Sequence, residues 1–160
     1  MLNKSLFSSD RMDWETPNEL FNQWNSKFNF TLDVCALPKN AKCQRFFTPE
    51  EDGLAKDWFG ERCWMNPPYG KDIVKWVKKA SEEAKKGSLV VALLPARTDT
   101  AWFHKYVLPY ADLVFLRGRV RFVGGSSSAP FPSIIAQYIP NTDIATSDLN
   151  TVVKPVSKNR

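Results

Sequence analysis

Residues 62–70 read Arg-Cys-Trp-Met-Asn-Pro-Pro-Tyr-Gly, and this stretch decides how the chain folds. The run from Cys63 to Met65 is apolar and bulky, which predicts a buried strand. Pro67 and Pro68 follow, and because proline has no backbone N–H, the ladder of the sheet cannot continue through them. The stretch therefore predicts a buried strand followed by a rigid turn, with Asn66 as the first residue of the turn.

Downstream of this turn, helical and strand patterns alternate. Apolar residues from Ile73 to Ala84 recur at helical spacing, and Gly87 is a typical helix stop. The apolar run 89–94, closed by Pro95, predicts a strand that is covered on both faces. Further patterns predict a short helix at 101–108 and strands at 113–116, 117–122 and 134–139.

Upstream, a helix and a strand are predicted. Thr16 is expected to cap a helix whose first residue is Pro17, with an apolar face that includes Trp24. Residues 30–34 then combine aromatic and β-branched side chains, which predicts a strand with Asp33 at its end.

This order of elements predicts an α/β fold with an open, mostly parallel, twisted sheet and flanking helices. Ligands of such sheets lie at the carboxyl ends of the strands, where Asp33 and Asn66 are both expected. We predict one domain over residues 13–140, a flexible N-terminal segment at 1–12 and a polar tail at 141–160.

Composition restricts the class of protein. The chain has 160 residues and a formal charge of +5, which suits an anionic partner without identifying one. Its three cysteines show no CxxC spacing, so neither a disulfide framework nor a zinc site is predicted. No apolar run reaches the length of a membrane span. We therefore expect a cytoplasmic protein that needs no metal and does not enter a membrane.

An Asn-Pro-Pro-Tyr turn directly after an apolar strand resembles the motif of amino-methyltransferases. The Asn66 side-chain oxygen and the Pro67 carbonyl would accept the two hydrogens of an exocyclic amine, which keeps its lone pair available. Pro68 would help to hold the turn rigid, and Tyr69 would stack on the base. The alternative is an ordinary tight turn, because Asn and Pro are turn formers.

Several further segments resemble the small phage-type family of DNA adenine-N6 methyltransferases. The likeness covers roughly residues 13–139 and implies a Rossmann-like methyltransferase fold, S-adenosylmethionine as methyl donor and double-stranded DNA as substrate. The segments that carry it are Asp-Trp-Glu-Thr-Pro at 13–17, Leu-Asp-Val-Cys-Ala at 32–36, Asp-Gly-Leu at 52–54 with Trp58, Asn-Pro-Pro-Tyr at 66–69, Leu-Pro-Ala-Arg-Thr-Asp-Thr at 94–100, Arg-Gly-Arg-Val-Arg-Phe at 117–122 and Ala-Pro-Phe-Pro-Ser at 129–133.

The resemblance implies that two segments and one acidic turn bind the cofactor, although no GxGxxG turn is present. Each has a structural alternative: a plain helix cap for the first segment, a turn or capping aspartate for Asp33, and a solvated acidic turn for Asp52. The residues expected at the cofactor are Trp14, Thr16, Pro17, Asp33, Cys35 and Asp52.

Four arginines are expected to contact DNA. Arg117, Arg119 and Arg121 alternate, so a strand would present all three on one face toward phosphates. Arg97 belongs to a segment that the resemblance covers. The alternative is a solvated arginine face. His104 has no partner that suggests a triad or a metal site, and we expect a structural or surface role for it.

The sequence thus predicts an S-adenosylmethionine-dependent DNA adenine-N6 methyltransferase that acts by direct transfer to a flipped base. The same amine acceptors would serve an RNA base or a protein glutamine. A catalytically silent DNA-binding relative and a small nucleotide-binding protein are the alternatives from other classes.

Overall fold

The computed structural model describes residues 14–125 and 127–140. Within these ranges five strands form one sheet in the order β1-β2-β3-β5-β4. The predicted flexible segment 1–12 and the polar tail 141–160 lie outside the described residues. The elements in chain order are helix α1 (Asn18–Phe28), β1 (Leu32–Asp33), a 3₁₀ turn (Gly53–Ala55), β2 (Arg62–Met65), helix α2 (Ile73–Lys86), β3 (Leu89–Pro95), a π-helix (Phe103–Val107), β4 (Asp112–Phe115) and β5 (Ser133–Tyr138).

The sheet is mostly parallel, as predicted. Strand β2 runs parallel to both β1 and β3. Strand β5 is antiparallel to β3 and to β4, so β4 runs in the same direction as the first three strands. The predicted α/β fold, an open and mostly parallel sheet with helices, is confirmed.

The central β2–α2–β3 unit follows its sequence signals. Strand β2 ends at Met65, directly before Asn66 and the two prolines. Helix α2 ends where Gly87 adopts a left-handed conformation with φ of 113°, which costs glycine little. All seven residues of β3 are buried, as expected for a strand covered on both faces.

Aromatic side chains join α1 to the sheet. The ring of Phe21 on α1 meets Trp64 of β2 edge-on, with their centroids 5.4 Å apart, and Phe30 lies 5.5 Å from the same ring. Trp64 itself is only 1% exposed. Burial of such large rings is a main source of stability in a core of this size, and it fixes the carboxyl end of β2 next to the chain that precedes α1.

The predicted cap of α1 was wrong. The helix begins at Asn18, and Pro17 precedes it in an extended conformation with φ of −59° and ψ of 136°, with no side-chain capping bond. The Thr16 hydroxyl is instead used by a residue far along the chain, as described below. Pro17 therefore stands one position before the helix rather than in its first turn.

The predicted strand at 117–122 was also wrong. Strand β4 ends at Phe115, and the chain bends at Arg117 and Gly118, where φ of Gly118 is 76°. Alternating polar and apolar residues do not form a strand without a partner to pair with, and this segment is an irregular loop. The short helix predicted at 101–108 is present mainly as the π-helix Phe103–Val107.

Candidate active site

Two polar residues meet at the carboxyl edge of the sheet. Asp33 ends β1 and is paired in register with Trp64, and Asn66 directly follows β2, two residues after Trp64. Both side chains line one pocket, whose space between the walls, mouth included, is about 470 Å³. The lining residues are Trp14, Glu15, Thr16, Asp33, Cys35, Ala36, Leu37, Asn40, Lys42, Trp64, Asn66, Pro67 and Pro68.

The Asn66 amide is held on one side only. Its Nδ2 donates to the backbone carbonyl of Trp14 at 2.5 Å and to the Thr16 hydroxyl oxygen at 3.1 Å. Within the described chain, its Oδ1 is buried and accepts no hydrogen bond. A buried acceptor without a partner costs roughly 1–3 kcal/mol, and such groups are typical of sites that bind a ligand. Asn66 Oδ1 is therefore available, as far as the described residues go, to accept a hydrogen bond from a ligand.

Asp33 organises the chain that follows β1. It is 3% exposed; its Oδ1 accepts the N–H of Cys35 at 3.3 Å and its Oδ2 accepts the N–H of Lys42 at 3.0 Å. Desolvation by burial raises the pKa of Asp33 to about 6, although both backbone bonds and the Lys42 charge lower it. The carboxyl group thus titrates close to neutrality inside the pocket.

Two charged residues of the pocket had not been predicted. The Lys42 side chain is only 8% exposed, and its ammonium donates to Asn18 Oδ1 at 2.7 Å and lies 3.6 Å from Glu15 Oε1. No motif surrounds Lys42 in the sequence, so nothing indicated that it would return to α1 across the pocket. Glu15 gave one weak signal, its place in the Trp-Glu-Thr-Pro segment.

The segment before α1 is joined to the arginine-bearing loop. Glu15 forms an isolated antiparallel bridge with Val123. The ring of Trp14 meets Phe122 at 5.1 Å and Phe131 at 5.6 Å, both edge-on. Trp14 and Thr16, both expected at the cofactor, line the pocket, whereas Pro17 does not contribute to its lining.

Tyr69 lies in the core and not in the pocket. Its side chain is 3% exposed, and its hydroxyl donates to the Leu93 carbonyl at 3.0 Å. Burial raises the pKa of the phenol well above its ordinary value, so it stays protonated. The ring lies 5.5 Å from Phe131 and 6.3 Å from Phe122. In this conformation the ring is unavailable for the predicted stacking on a base.

A second pocket adjoins the first, because Cys35 and Pro68 line both. Its space between the walls is about 720 Å³, and Asp52 and Gly53 contribute to it. Asp52 is exposed, has a left-handed φ of 54° and caps the 3₁₀ turn by accepting the N–H of Leu54 at 3.2 Å. Asp52 therefore caps the 3₁₀ turn and also lines this pocket, so the turn and the predicted cofactor contact do not exclude each other. The two pockets form one cleft along the carboxyl ends of β1 and β2.

Glycine is required at position 53. A Cβ there would lie 2.2 Å from the backbone carbonyl oxygen of Val34, which is too close for any side chain. This contact brings the 3₁₀ turn against the chain that leaves β1. Cys35, next in sequence, has a pKa raised to about 12, first by burial and then by the Asp33 charge, so its thiol is neutral and not nucleophilic.

The four predicted DNA-binding arginines are exposed. Arg117, Arg119 and Arg121 lie on the loop after β4 and line a groove against the start of α1, where Glu19 and Gln23 face them. Arg119 Nη1 also donates to the Ala129 carbonyl at 3.5 Å. The structure thus groups these three on one loop, although not on a strand.

Arg97 lies apart from that groove, in the turn after β3. His104 is exposed, and its Nε2 lies 2.6 Å from the Thr98 carbonyl oxygen, which fits the expected structural or surface role. In residues 14–125 and 127–140 no group of three or more His, Cys, Asp or Glu side chains could hold a metal ion. None of the helices described is both long and apolar enough to cross a bilayer.

Comparison with known proteins gives concordant matches. A family model described as DNA N-6-adenine-methyltransferase (Dam) matches residues 4–136. The DNA N-6-adenine-methyltransferase of Haemophilus phage HP1 (strain HP1c1) is 34% identical over 122 residues, which cover 74% of this chain and 70% of that protein. The DNA N-6-adenine-methyltransferase of Escherichia phage T1 is 29% identical over 132 residues, covering 71% of this chain and 55% of that protein.

Proposed function

Because the chain belongs to the DNA N-6-adenine-methyltransferase family, we propose that it transfers a methyl group from S-adenosylmethionine to the N6 amine of adenine in duplex DNA. The observation that carries this proposal is the buried Oδ1 of Asn66, which has no hydrogen-bond partner among the described residues and lies in a pocket at the carboxyl edge of the sheet. An acceptor without a partner is complementary to an amine, which brings hydrogens to donate. The family membership predicted from the sequence is confirmed by these matches.

The residues of the cleft fit the cofactor. Asp33 and Glu15 offer carboxylates and Lys42 an ammonium, which complement the amino and carboxylate groups at the methionine end of S-adenosylmethionine. Trp14 and Thr16 border the same pocket. The neighbouring pocket, with Asp52 and Gly53, has room for the nucleoside end. Cys35 lies between the two and, as a neutral thiol, contributes shape rather than charge.

The reaction needs position and electrostatics more than a covalent intermediate. Held by Asp33, Glu15 and Lys42 in the cleft, S-adenosylmethionine would supply an electrophilic methyl group on its sulfonium for transfer to adenine N6. Asn66 Oδ1 accepts one N6 hydrogen and the Pro67 carbonyl accepts the other. These two bonds reduce the delocalisation of the nitrogen lone pair into the adenine ring, so the lone pair is available to attack. Pro68 holds the turn in place, and the proton lost from N6 leaves to water.

Tyr69 acts at a distance from the base in this proposal. Its hydroxyl anchors the Asn-Pro-Pro-Tyr turn to β3 through the Leu93 carbonyl, and its ring packs with Phe122 and Phe131. It therefore ties the turn that carries the amine acceptors to the loop that carries the arginines.

The loop arginines are assigned to the DNA backbone. Arg117, Arg119 and Arg121 are exposed on one loop, and guanidinium groups bind phosphate oxygens well. Arg97, in the turn after β3, is assigned to the same function. Work on DNA would place the enzyme in the cytoplasm, that of the host if a phage encodes it.

The test is methyl transfer to DNA. The protein is incubated with unmethylated genomic DNA and labelled S-adenosylmethionine, and the DNA is then sequenced by a method that detects N6-methyladenine. RNA and a glutamine-bearing protein serve as parallel substrates, and the Asn66→Ala variant serves as the control. Methyl on adenine at a recurring sequence supports the proposal; label only in RNA or protein, or in no substrate, contradicts it.

A further inference from the structure

The orientation of the Asn66 amide is set by the chain that precedes α1. The Trp14 carbonyl can only accept, and it lies 2.5 Å from the terminal nitrogen of Asn66. Turning the amide over would bring two acceptor oxygens together, so the nitrogen must face Trp14. The Thr16 hydroxyl oxygen takes the same nitrogen as its donor at 3.1 Å. Because these two acceptors take the nitrogen, Oδ1 is the amide atom that has no partner in the part of the chain that the structure describes.

Thr16 is built into this arrangement. It is 2% exposed, although it has a polar side chain and caps no helix. A buried hydroxyl normally requires a hydrogen-bond partner, and Asn66, fifty positions later, is that partner. The contact is therefore the reason for a threonine at this buried position rather than an apolar residue.

The segment is held in place independently of Asn66. The Glu15 carbonyl accepts the N–H of Val123 at 3.0 Å. On the other side, the Lys42 ammonium reaches Asn18 at 2.7 Å and Glu15 at 3.6 Å. Because residues 14–18 are bound to Val123 on one side and to Lys42 on the other, the Trp14 carbonyl and the Thr16 hydroxyl form a rigid support for the Asn66 amide.

We propose that Thr16 is a positioning residue: with the Trp14 carbonyl it holds the Asn66 amide so that Oδ1 is presented to the amine that is methylated. This inference rests on the proposed function for the role of Oδ1, but the geometry it describes exists without substrate. Thr16 lines the cofactor pocket, but the proposal assigns its hydroxyl to Asn66 rather than to a group of the cofactor. It also requires an amide at position 66, because an aspartate there would set a carboxylate oxygen against the Trp14 carbonyl.

The test compares Thr16→Val, which keeps the shape and loses the hydroxyl, with Thr16→Ser, which keeps the hydroxyl. We expect kcat of Thr16→Val to fall about 3- to 10-fold, the scale of one neutral hydrogen bond, with the Kd for S-adenosylmethionine unchanged and kcat restored in Thr16→Ser. Asn66→Asp should lose more turnover than Thr16→Val. The proposal is overturned if Thr16→Val has the kcat of the wild type, or if Thr16→Val and Thr16→Ser lose kcat equally. It is also overturned if Thr16→Val loses affinity for S-adenosylmethionine and keeps its kcat.

A second measurement does not depend on activity. In protein labelled with ¹⁵N at asparagine, the side-chain NH₂ pair of Asn66 is assigned as the pair missing from Asn66→Ala. We expect Thr16→Val, and not Thr16→Ser, to shift one proton of this pair and to speed its exchange with solvent. An unchanged pair in Thr16→Val overturns the positioning role even in an active enzyme. If the wild-type protein methylates no DNA but Thr16→Val still shifts the Asn66 NH₂ signal, the proposed function is wrong and the Thr16–Asn66 contact is confirmed.

Discussion

The backbone N–H of Val123 donates to the carbonyl of Glu15 at 3.0 Å, in an antiparallel bridge between segments more than a hundred residues apart. Glu15 lies between the two residues whose oxygens hold the Asn66 amide. Val123 ends the loop that carries the three exposed arginines. This backbone bond therefore joins the proposed DNA contacts to the amine acceptor, in addition to the ring contacts that Trp14 and Tyr69 make with Phe122.

Replacement of Asn66 by Ala should slow turnover and leave cofactor binding nearly intact. The variant loses an acceptor that matters most as charge develops on N6, so kcat should fall by roughly 10²–10³-fold. Single-turnover methylation and calorimetric titration of S-adenosylmethionine measure the two quantities separately. A variant with full activity would remove Asn66 from the mechanism.

Asp33 should make the stability of the protein depend on pH in an unusual direction. Its pKa is about 6 in the folded protein against an ordinary 3.8, so between these values the folded state holds a proton that the unfolded state has released. The free energy of unfolding should therefore fall as pH rises from about 4 to about 6, and this contribution should then stay constant. Urea unfolding of wild type and Asp33→Asn across this range isolates the effect as a changing difference. Parallel stability curves would contradict it.

Tyr69→Phe should affect stability more than chemistry. The variant keeps the ring against Phe131 but loses the hydrogen bond to the buried Leu93 carbonyl, which should cost about 0.5–1.5 kcal/mol of unfolding free energy. The rate of methyl transfer below the unfolding temperature should remain within a few-fold of wild type. Denaturant unfolding and kcat, measured on the same preparation, test the expected loss of stability and the expected rate. A large loss of kcat at unchanged stability would indicate instead that Tyr69 contacts the base.

The loop arginines should determine how DNA affinity depends on salt. Each phosphate contact releases counterions, so replacing Arg117, Arg119 or Arg121 by Ala should reduce the slope of log K against log salt by about one. Anisotropy titrations of a labelled duplex at several salt concentrations give the slope. Lys78→Ala, an exposed change on α2, is the matched control and should leave the slope unchanged. An unaltered slope in the triple variant would place DNA elsewhere.

Local chemistry made one part of this fold predictable. The strand β2, the turn at Pro67 and Pro68, helix α2 and its stop at Gly87 could each be inferred, because prolines, helical spacing and a left-handed glycine act within a few residues. The same signals placed Asp33 and Asn66 at one edge of the sheet. The family resemblance, carried by several segments in order, was confirmed as well.

Features that depend on distant partners could not be inferred. Thr16 looked like a helix cap because the pattern around it is local, whereas its partner is Asn66. The arginines at 117–121 alternate as strand residues do, but in residues 14–125 and 127–140 no strand pairs with them. Lys42 carried no signal, since its contacts with Asn18 and Glu15 arise only when the chain folds back. Each of these errors concerns a tertiary contact that overrides a local preference.

The position of β5 has a consequence for the order of assembly during synthesis. This strand is the last of the sheet to leave the ribosome, yet it lies between β3 and β4, and β4 pairs with no other strand of the sheet. Until Ser133–Tyr138 has emerged, β4 has no place to dock, and β3 keeps an open edge. A nascent chain stopped before Ser133 would therefore carry a sheet of only β1, β2 and β3, with β4 unpaired. The strand ends that carry Asp33 and Asn66 would then be paired before the sheet is complete.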